Sequence, residues 1–194
     1  MGTRNLEVVI LNGVVRVAQY CQWDGYPSGQ GLQSLKFFRD KMNRKVFEEK
    51  IQKSSWITTE EFKQLWIECG ASPDSDLVNF DVSNLFKTKN PHLHRDYGAK
   101  IFELIQNSEN GLKLNNNIEF AADSLFCEWA YVIDLDKNTF EVYKGFNKRK
   151  LGKQQRFYHL QKENENSEYY PIRMKKSYDL NQLPTDEEFL KIKD

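Results

Sequence analysis

Leu6-Glu7-Val8-Val9-Ile10-Leu11-Asn12-Gly13-Val14-Val15-Arg16-Val17-Ala18-Gln19-Tyr20 is the run that decides the fold. Two stretches rich in β-branched and aliphatic residues flank one Asn-Gly dipeptide. A two-residue Asn-Gly loop favours a type I′ turn, since both residues tolerate positive φ and the twist matches that of paired strands. The chain therefore opens with a β-hairpin, 6–11 against 14–20.

The second strand runs straight into Gln22-Trp23-Asp24-Gly25-Tyr26-Pro27-Ser28-Gly29-Gln30-Gly31. A simple reversal needs only one or two turn residues. This segment holds Gly25, Gly29 and Gly31, one proline, two aromatics and the acid Asp24. Glycines allow backbone N–H groups to converge on an anion, and a helix starting near Gly31 would add its positive end. Ser28 offers a hydroxyl and Gln30 an amide. Trp23 or Tyr26 can stack on a planar group, and Arg4 can neutralise charge. The pattern lacks the Gly-Lys-Ser/Thr ending of a phosphate-binding P-loop and the spacing of a dinucleotide fingerprint. Its structural alternative is a rigid strand-to-helix connector with the aromatics pinned into the core.

Working outward, Leu32, Leu35, Phe38, Met42 and Val46 recur at helical steps and predict one helix from Gly31 to about Lys53. Thr58-x-x-Glu61 is a capping box ahead of Phe62, Leu65, Trp66 and Cys69, with Gly70 as the stop. Residues 72–91 read as short turns with one helical piece near 76–79. A further helix is expected from about Asp96, its N-cap, to Ser108, ended by Asn110-Gly111. After Asn117 strands return. Residues 127–135 and 139–144 form a hairpin about Asp136-Lys137-Asn138, with Trp129, Tyr131, Ile133 and Leu135 on one face. Residues 156–161 and 169–175 read as a second strand pair, joined by the polar run 162–168. Thr185-x-x-Glu188 caps a short terminal helix. The expectation is a single α+β domain over residues 1–194. Its antiparallel sheet joins the N-terminal hairpin to the C-terminal strands, and the helices of the middle of the chain pack on it.

Composition narrows the function classes. Twenty-eight basic residues balance 28 acidic ones, so the chain as a whole gives no reason to expect nucleic acid as a partner. Apolar content is 39%, but 13 Phe, 9 Tyr and 4 Trp supply large buried areas. Cys21, Cys69 and Cys127 are odd in number and far apart, which fits buried free thiols in a reducing compartment. No signal core or membrane-spanning run is present. A cytoplasmic protein without a membrane partner is expected, and a homo-oligomer is compatible with these numbers.

Met1-Gly2-Thr3-Arg4, the hairpin, Ala18-Gln19-Tyr20 and Asp24-Gly25-Tyr26-Pro27-Ser28-Gly29-Gln30-Gly31 together resemble a family of uncharacterised proteins common in bacteriophages and bacteria. The resemblance covers the first thirty-odd residues and, more weakly, Cys127-Glu128-Trp129-Ala130-Tyr131-Val132-Ile133. It implies a phage or prophage setting and no particular chemistry. Cys21 stands where similar proteins carry glycine, which argues against an essential thiol.

Each of the remaining motifs has a plainer account beside the functional one. An N-terminal-nucleophile hydrolase would expose Cys, Ser or Thr as its first residue, whereas trimming Met1 exposes Gly2. His92-x-His94-x-Asp96 alternates as metal ligands can, but Tyr97 follows where another His would be wanted. Lys148, Arg149, Lys150, Lys153 and Arg156 form the densest basic cluster, beside Phe146, Phe157 and Tyr158, and Arg173, Lys175 and Lys176 would extend it if the last strands lie alongside. Basic residues interleaved with aromatics can hold phosphates and stacked bases; alone, such a run is usually a solvated loop. Glu128, Asp134 and Asp136 share one strand face, and Glu128 is the deepest of them.

The sequence therefore points to a binding protein rather than an enzyme. The expected ligand is anionic and planar, a nucleotide or nucleotide-derived signal, held by Arg4, Trp23, Asp24, Gly25, Tyr26, Ser28, Gly29, Gln30 and Gly31 with Lys148 and Arg149. Its sequestration would counter host defence. No catalytic residue, metal ligand or cofactor is assigned. The rival expectation is an inhibitor docking on a host enzyme, and a hydrolase with an N-terminal-nucleophile-like fold comes third.

Overall fold

Hydrogen-bond pairing places the N-terminal hairpin next to strands more than a hundred residues away. The structure is a computed structural model and describes residues 2–73, 79–161 and 168–192. Strands β1 (Asn5–Leu11) and β2 (Val14–Cys21) pair antiparallel. Asn12 and Gly13 sit at φ +57° and +70°, as a type I′ turn requires. β5 (Trp129–Asp134) and β6 (Thr139–Lys144) form the second hairpin, and β7 (Arg173–Asp179) adds to β6. The five strands run in the order β2-β1-β5-β6-β7. All neighbours are antiparallel except the central pair β1 and β5, which is parallel. A two-residue pair, β3 (Ser55–Trp56) with β4 (Lys113–Leu114), lies apart.

The strands β1, β5 and most of β6 are buried on both faces, while the edge strand β7 is largely exposed. Val9, Leu11, Val17, Trp129, Tyr131, Ile133, Phe140 and Val142 point to one side. There they meet α1 (Leu32–Lys36), α2 (Arg44–Lys53), α5 (Lys100–Asn107) and the terminal turn α6 (Asp186–Phe189) through Leu35, Phe47, Ile101 and Phe189. Leu6, Val8, Ala130, Val132 and Tyr143 point to the other side, covered by Ala121, Leu151, Phe157 and Ile172 from 3₁₀ turns and irregular chain. Full burial on both faces explains why β1 reads as a near-continuous apolar run. α3 (Thr59–Glu68) and α4 (Phe80–Lys89) form a lobe with a core of its own, in which Trp66 stacks on Phe86 at 3.8 Å. No described helix is long and apolar enough to cross a membrane.

Several local expectations are corrected. The helical pattern from Gly31 is broken: wide turns at Pro27–Gly31 and Phe37–Lys41 flank α1, Met42 is extended, and Asn43 restarts the chain by capping α2. Positions 76–78 lie outside the described residues, and the helix of that region is α4, capped by Asn79 on Val82 N–H. Asp96 is not a helix cap. It takes an ion pair from Lys87 at 3.0 Å, while α5 begins four residues later. Residues 158–160 form a 3₁₀ turn rather than a strand, so the last strand shifts to 173–179 and pairs with β6 alone. The run 162–167 lies outside the described residues.

Candidate functional site

The glycine-rich segment is fastened by its own main chain. Gly25 N–H donates to the Thr3 carbonyl at 2.9 Å, and Gln30 N–H to that of Asp24 at 2.8 Å. Gly29 and Gly31 N–H groups both donate to the Tyr26 carbonyl. These amides therefore have internal acceptors and do not form an open cradle for an anion. The glycines are demanded by packing instead. A Cβ on Gly31 would lie 2.5 Å from the Tyr131 ring, and one on Gly29 would lie 2.1 Å from the Asp24 carbonyl oxygen. Tyr131 donates its hydroxyl to the Gly25 carbonyl at 2.9 Å, and the buried Gln30 amide oxygen accepts Ala99 N–H at 2.8 Å. Trp23 and Tyr26 remain 46% and 47% exposed, and Ser28 and Asp24 also face outward.

Beneath the segment lies a buried polar group. Glu7 accepts from Asn5 Nδ2 at 2.8 Å and from the Ser34 hydroxyl at 2.7 Å. Burial pushes its carboxyl up to about 8 against those two hydrogen bonds, which pull it down. Asn5, Glu7, Gln19 and Ser34 are all sealed from water, so this group supports the fold rather than meeting a ligand.

The open site lies at the same end of the sheet, three strands away. Its floor and walls are the end of β6, the loop after it and the start of β7: Lys144, Gly145, Phe146, Asn147, Lys148, Arg149, Arg173, Met174 and Lys175 enclose an open cleft of about 440 Å³. Five of these nine are cations and none is an acid. Among the described residues no carboxylate pairs with Arg149, Arg173 or Lys175, whereas Lys148 pairs with Glu168. Lys144 Nζ lies 4.1 Å above the buried Trp129 ring, with Lys175 Nζ at 6.0 Å. Among the described residues the indole N–H of Trp129 has no acceptor.

The loop that carries this charge is held firmly. Gly145 N–H donates to the Glu128 carbonyl at 2.9 Å, and Phe146 N–H to that of Ser124 at 2.6 Å. A Cβ at Gly145 would lie 2.2 Å from the Cys127 carbonyl oxygen. Buried Asn147 donates to the Arg149 and Pro171 carbonyls, both at 2.8 Å, and accepts Arg149 N–H at 3.0 Å. Phe146 sits at φ +52°, a conformation bulky side chains rarely adopt, yet its ring is 47% exposed. Such strain persists only where surroundings enforce it, and it clusters at functional positions.

The residues expected to act together are thus partly regrouped. Lys148 and Arg149 line the cleft, joined by Arg173 and Lys175 from β7, while Lys144, Phe146 and Met174 complete it. Arg156 leaves the basic cluster: it turns to the opposite sheet face and bonds Glu141 at 2.7 Å and Asp134 at 2.8 Å. Burial pushes the Asp134 carboxyl up, but Lys137 N–H and Arg156 outweigh it and hold the group low. Glu128 accepts Arg4 N–H at 3.3 Å, and the Arg4 guanidinium lies 4.7 Å over the Phe126 ring. His94 lies 3.5 Å from Asp96, and burial lowers the pKa values of His92 and His94. Cys21, Cys69 and Cys127 are buried free thiols. Lys144-Gly145-Phe146-Asn147, a cation and a glycine closing a strand before an exposed ring, was the sequence signature of the site. Comparison of the chain with family models, with curated proteins and with solved structures gives no match.

Proposed function

We propose that the protein binds an anionic planar ligand of the nucleotide class in the cleft between the 145–149 loop and β7. The observation that carries this reading is a wall of five cations, with no lining acid among the described residues, around the exposed ring of Phe146. Arg149, Arg173 and Lys175 hold phosphate oxygens, as guanidinium and ammonium donors do through charge-assisted bonds. Phe146 stacks on the base, and its pinned backbone removes the ordering cost of a mobile loop. Among the described residues no hydroxyl, thiol, imidazole or carboxylate lines the cleft, which favours binding over turnover. The glycine-rich segment fixes the sheet end on which the cleft is built. In the phage or prophage setting implied by the resemblance, the role is sequestration of a host nucleotide signal.

Isothermal titration with nucleoside phosphates and cyclic dinucleotides tests this directly. Arg173→Ala and Lys175→Ala should each weaken binding roughly tenfold, the loss of one charge-assisted hydrogen bond. Phe146→Ala should weaken nucleotides more than inorganic phosphate. Absence of heat with every one of these ligands, on folded protein, ends the reading.

A further inference from the structure

We infer that the cleft is one end of a longer track for single-stranded nucleic acid, whose bases rest on Phe146, Phe126 and Trp23. The inference rests on the reading of the cleft above and extends it from one nucleotide to several. Strand register sets the geometry. Cys21 pairs with Asn5, Asn5 with Trp129, Trp129 with Lys144, and Lys144 with Arg173. The chain segments carrying Trp23, Arg4, Phe126, Phe146 and Arg173 therefore emerge in a row along one end of the sheet. With strands about 4.8 Å apart, five strands span roughly 19 Å, longer than one nucleotide covers.

The chemistry along that row repeats. Trp23, Tyr26, Leu125, Phe126, Phe146 and Met174 lie there, six of the ten large apolar side chains with substantial exposure among the described residues. Concentrated exposed apolar surface marks an interaction site. Each ring beyond the glycine-rich segment has a cation beside it: Arg4 at 4.7 Å from the Phe126 centroid, and Lys144 at 5.9 Å from that of Phe146. Three carboxylates at this end already have partners. Asp123 accepts Phe126 N–H, Glu128 accepts Arg4 N–H, and Glu168 pairs with Lys148, while Asp24 is exposed. Rings and cations alternating at strand spacing suit a polymer of bases and phosphates whose bases are unstacked. A duplex hides the base faces these rings need. Overall neutrality does not oppose this, because Arg4, Lys144, Lys148, Arg149, Arg173 and Lys175 all lie at this end of the sheet.

Fluorescence anisotropy with labelled oligothymidylate and oligouridylate of two, four, six and eight nucleotides decides the matter. Affinity should rise at least tenfold from the dimer to the hexamer, then level off. It should fall with salt, with a slope of about −0.7 per phosphate contacted. Phe126→Ala and Trp23→Ala, checked for folding by their melting curves, should each cost the hexamer about fivefold or more, the weight of one base–aromatic stack. Neither should alter mononucleotide binding in the cleft. Mononucleotide binding with no gain from length overturns the track and leaves the cleft reading intact. Binding of neither probe overturns both, and would turn the exposed apolar row toward a protein partner.

Discussion

Glu7 is a carboxyl with no exposure to water, facing Gln19 across the β1–β2 ladder. Among the described residues Asn5 Oδ1 and Gln19 Oε1 are buried acceptors without donors, and a proton on Glu7 adds a donor to this group. With a folded pKa of about 8 against an ordinary 4.5, the folded state holds the proton more tightly than the unfolded chain. Its stabilising contribution is complete below pH 4.5, is lost as pH rises toward 8, and stays lost above. The slope is at most about 1.4 kcal/mol per pH unit. Glu7→Gln should therefore melt several degrees above the native protein at pH 8.5 and close to it at pH 5, since 1 kcal/mol moves a domain of this size by about 2–4 °C. A difference in melting temperature that ignores pH would contradict the protonated state. Gly31 makes a second test at this scale. Its alanine variant must displace the Tyr131 ring, and urea unfolding should show a loss of about 2 kcal/mol, as overpacking costs.

Elements show where local pattern suffices and where it does not. The capping boxes at Thr58 and Thr185 form as their spacing predicts, because every partner lies within four residues. Thr58→Ala should cost about 1 kcal/mol of stability. The start of α5 is different: the acceptor for Ala99 N–H is Gln30, 69 positions away, so the local candidate Asp96 was left for Lys87 and His94. Asn43 breaks the helical run in the same way, since Gln106 of α5 accepts its N–H at 2.7 Å. The α3–α4 lobe is held by Phe86 against Trp66 and Phe62, and α3 has no buried residue of its own. Phe86→Ala should cost about 3 kcal/mol or more. Hydrogen exchange should then quicken in α3 and α4 while β1 and β5 keep their protection. Equal loss across the sheet would show that the lobe does not open on its own.

The whole molecule is organised by the parallel pairing of β1 with β5, residues some 124 positions apart in sequence. Two turns meet at the far end of this pair, where the Asp136 carboxylate accepts Asn12 and Gly13 N–H at 2.8 and 2.7 Å. The N-terminal hairpin has a strand buried on both faces, and a two-stranded hairpin is at best marginal alone. A fragment of residues 1–112 keeps β1, β2 and five helices but lacks β5, the parallel partner of β1. It should show no cooperative thermal transition and weak amide protection in 5–11. A sharp transition in that fragment would place the folding core elsewhere.

Local chemistry in the sequence determined the two hairpins, the capped helices, the buried thiols and the α+β class, because turn geometry, capping and periodicity act over a few residues. The basic–aromatic character of 146–149 was legible for the same reason. Tertiary structure alone decided the rest. It turned the glycines from an anion cradle into a packed joint, since only the folded chain brings Thr3, Asp24 and Tyr131 against them. It withdrew Arg156 to Asp134 and Glu141 on the other face. It also set Arg173 and Lys175 beside Lys148 and Arg149, a meeting that depends on β7 choosing β6 as its neighbour. Which strand pairs with which is settled by packing across the whole sheet around its buried strands β1, β5 and β6, and no window of sequence contains that information.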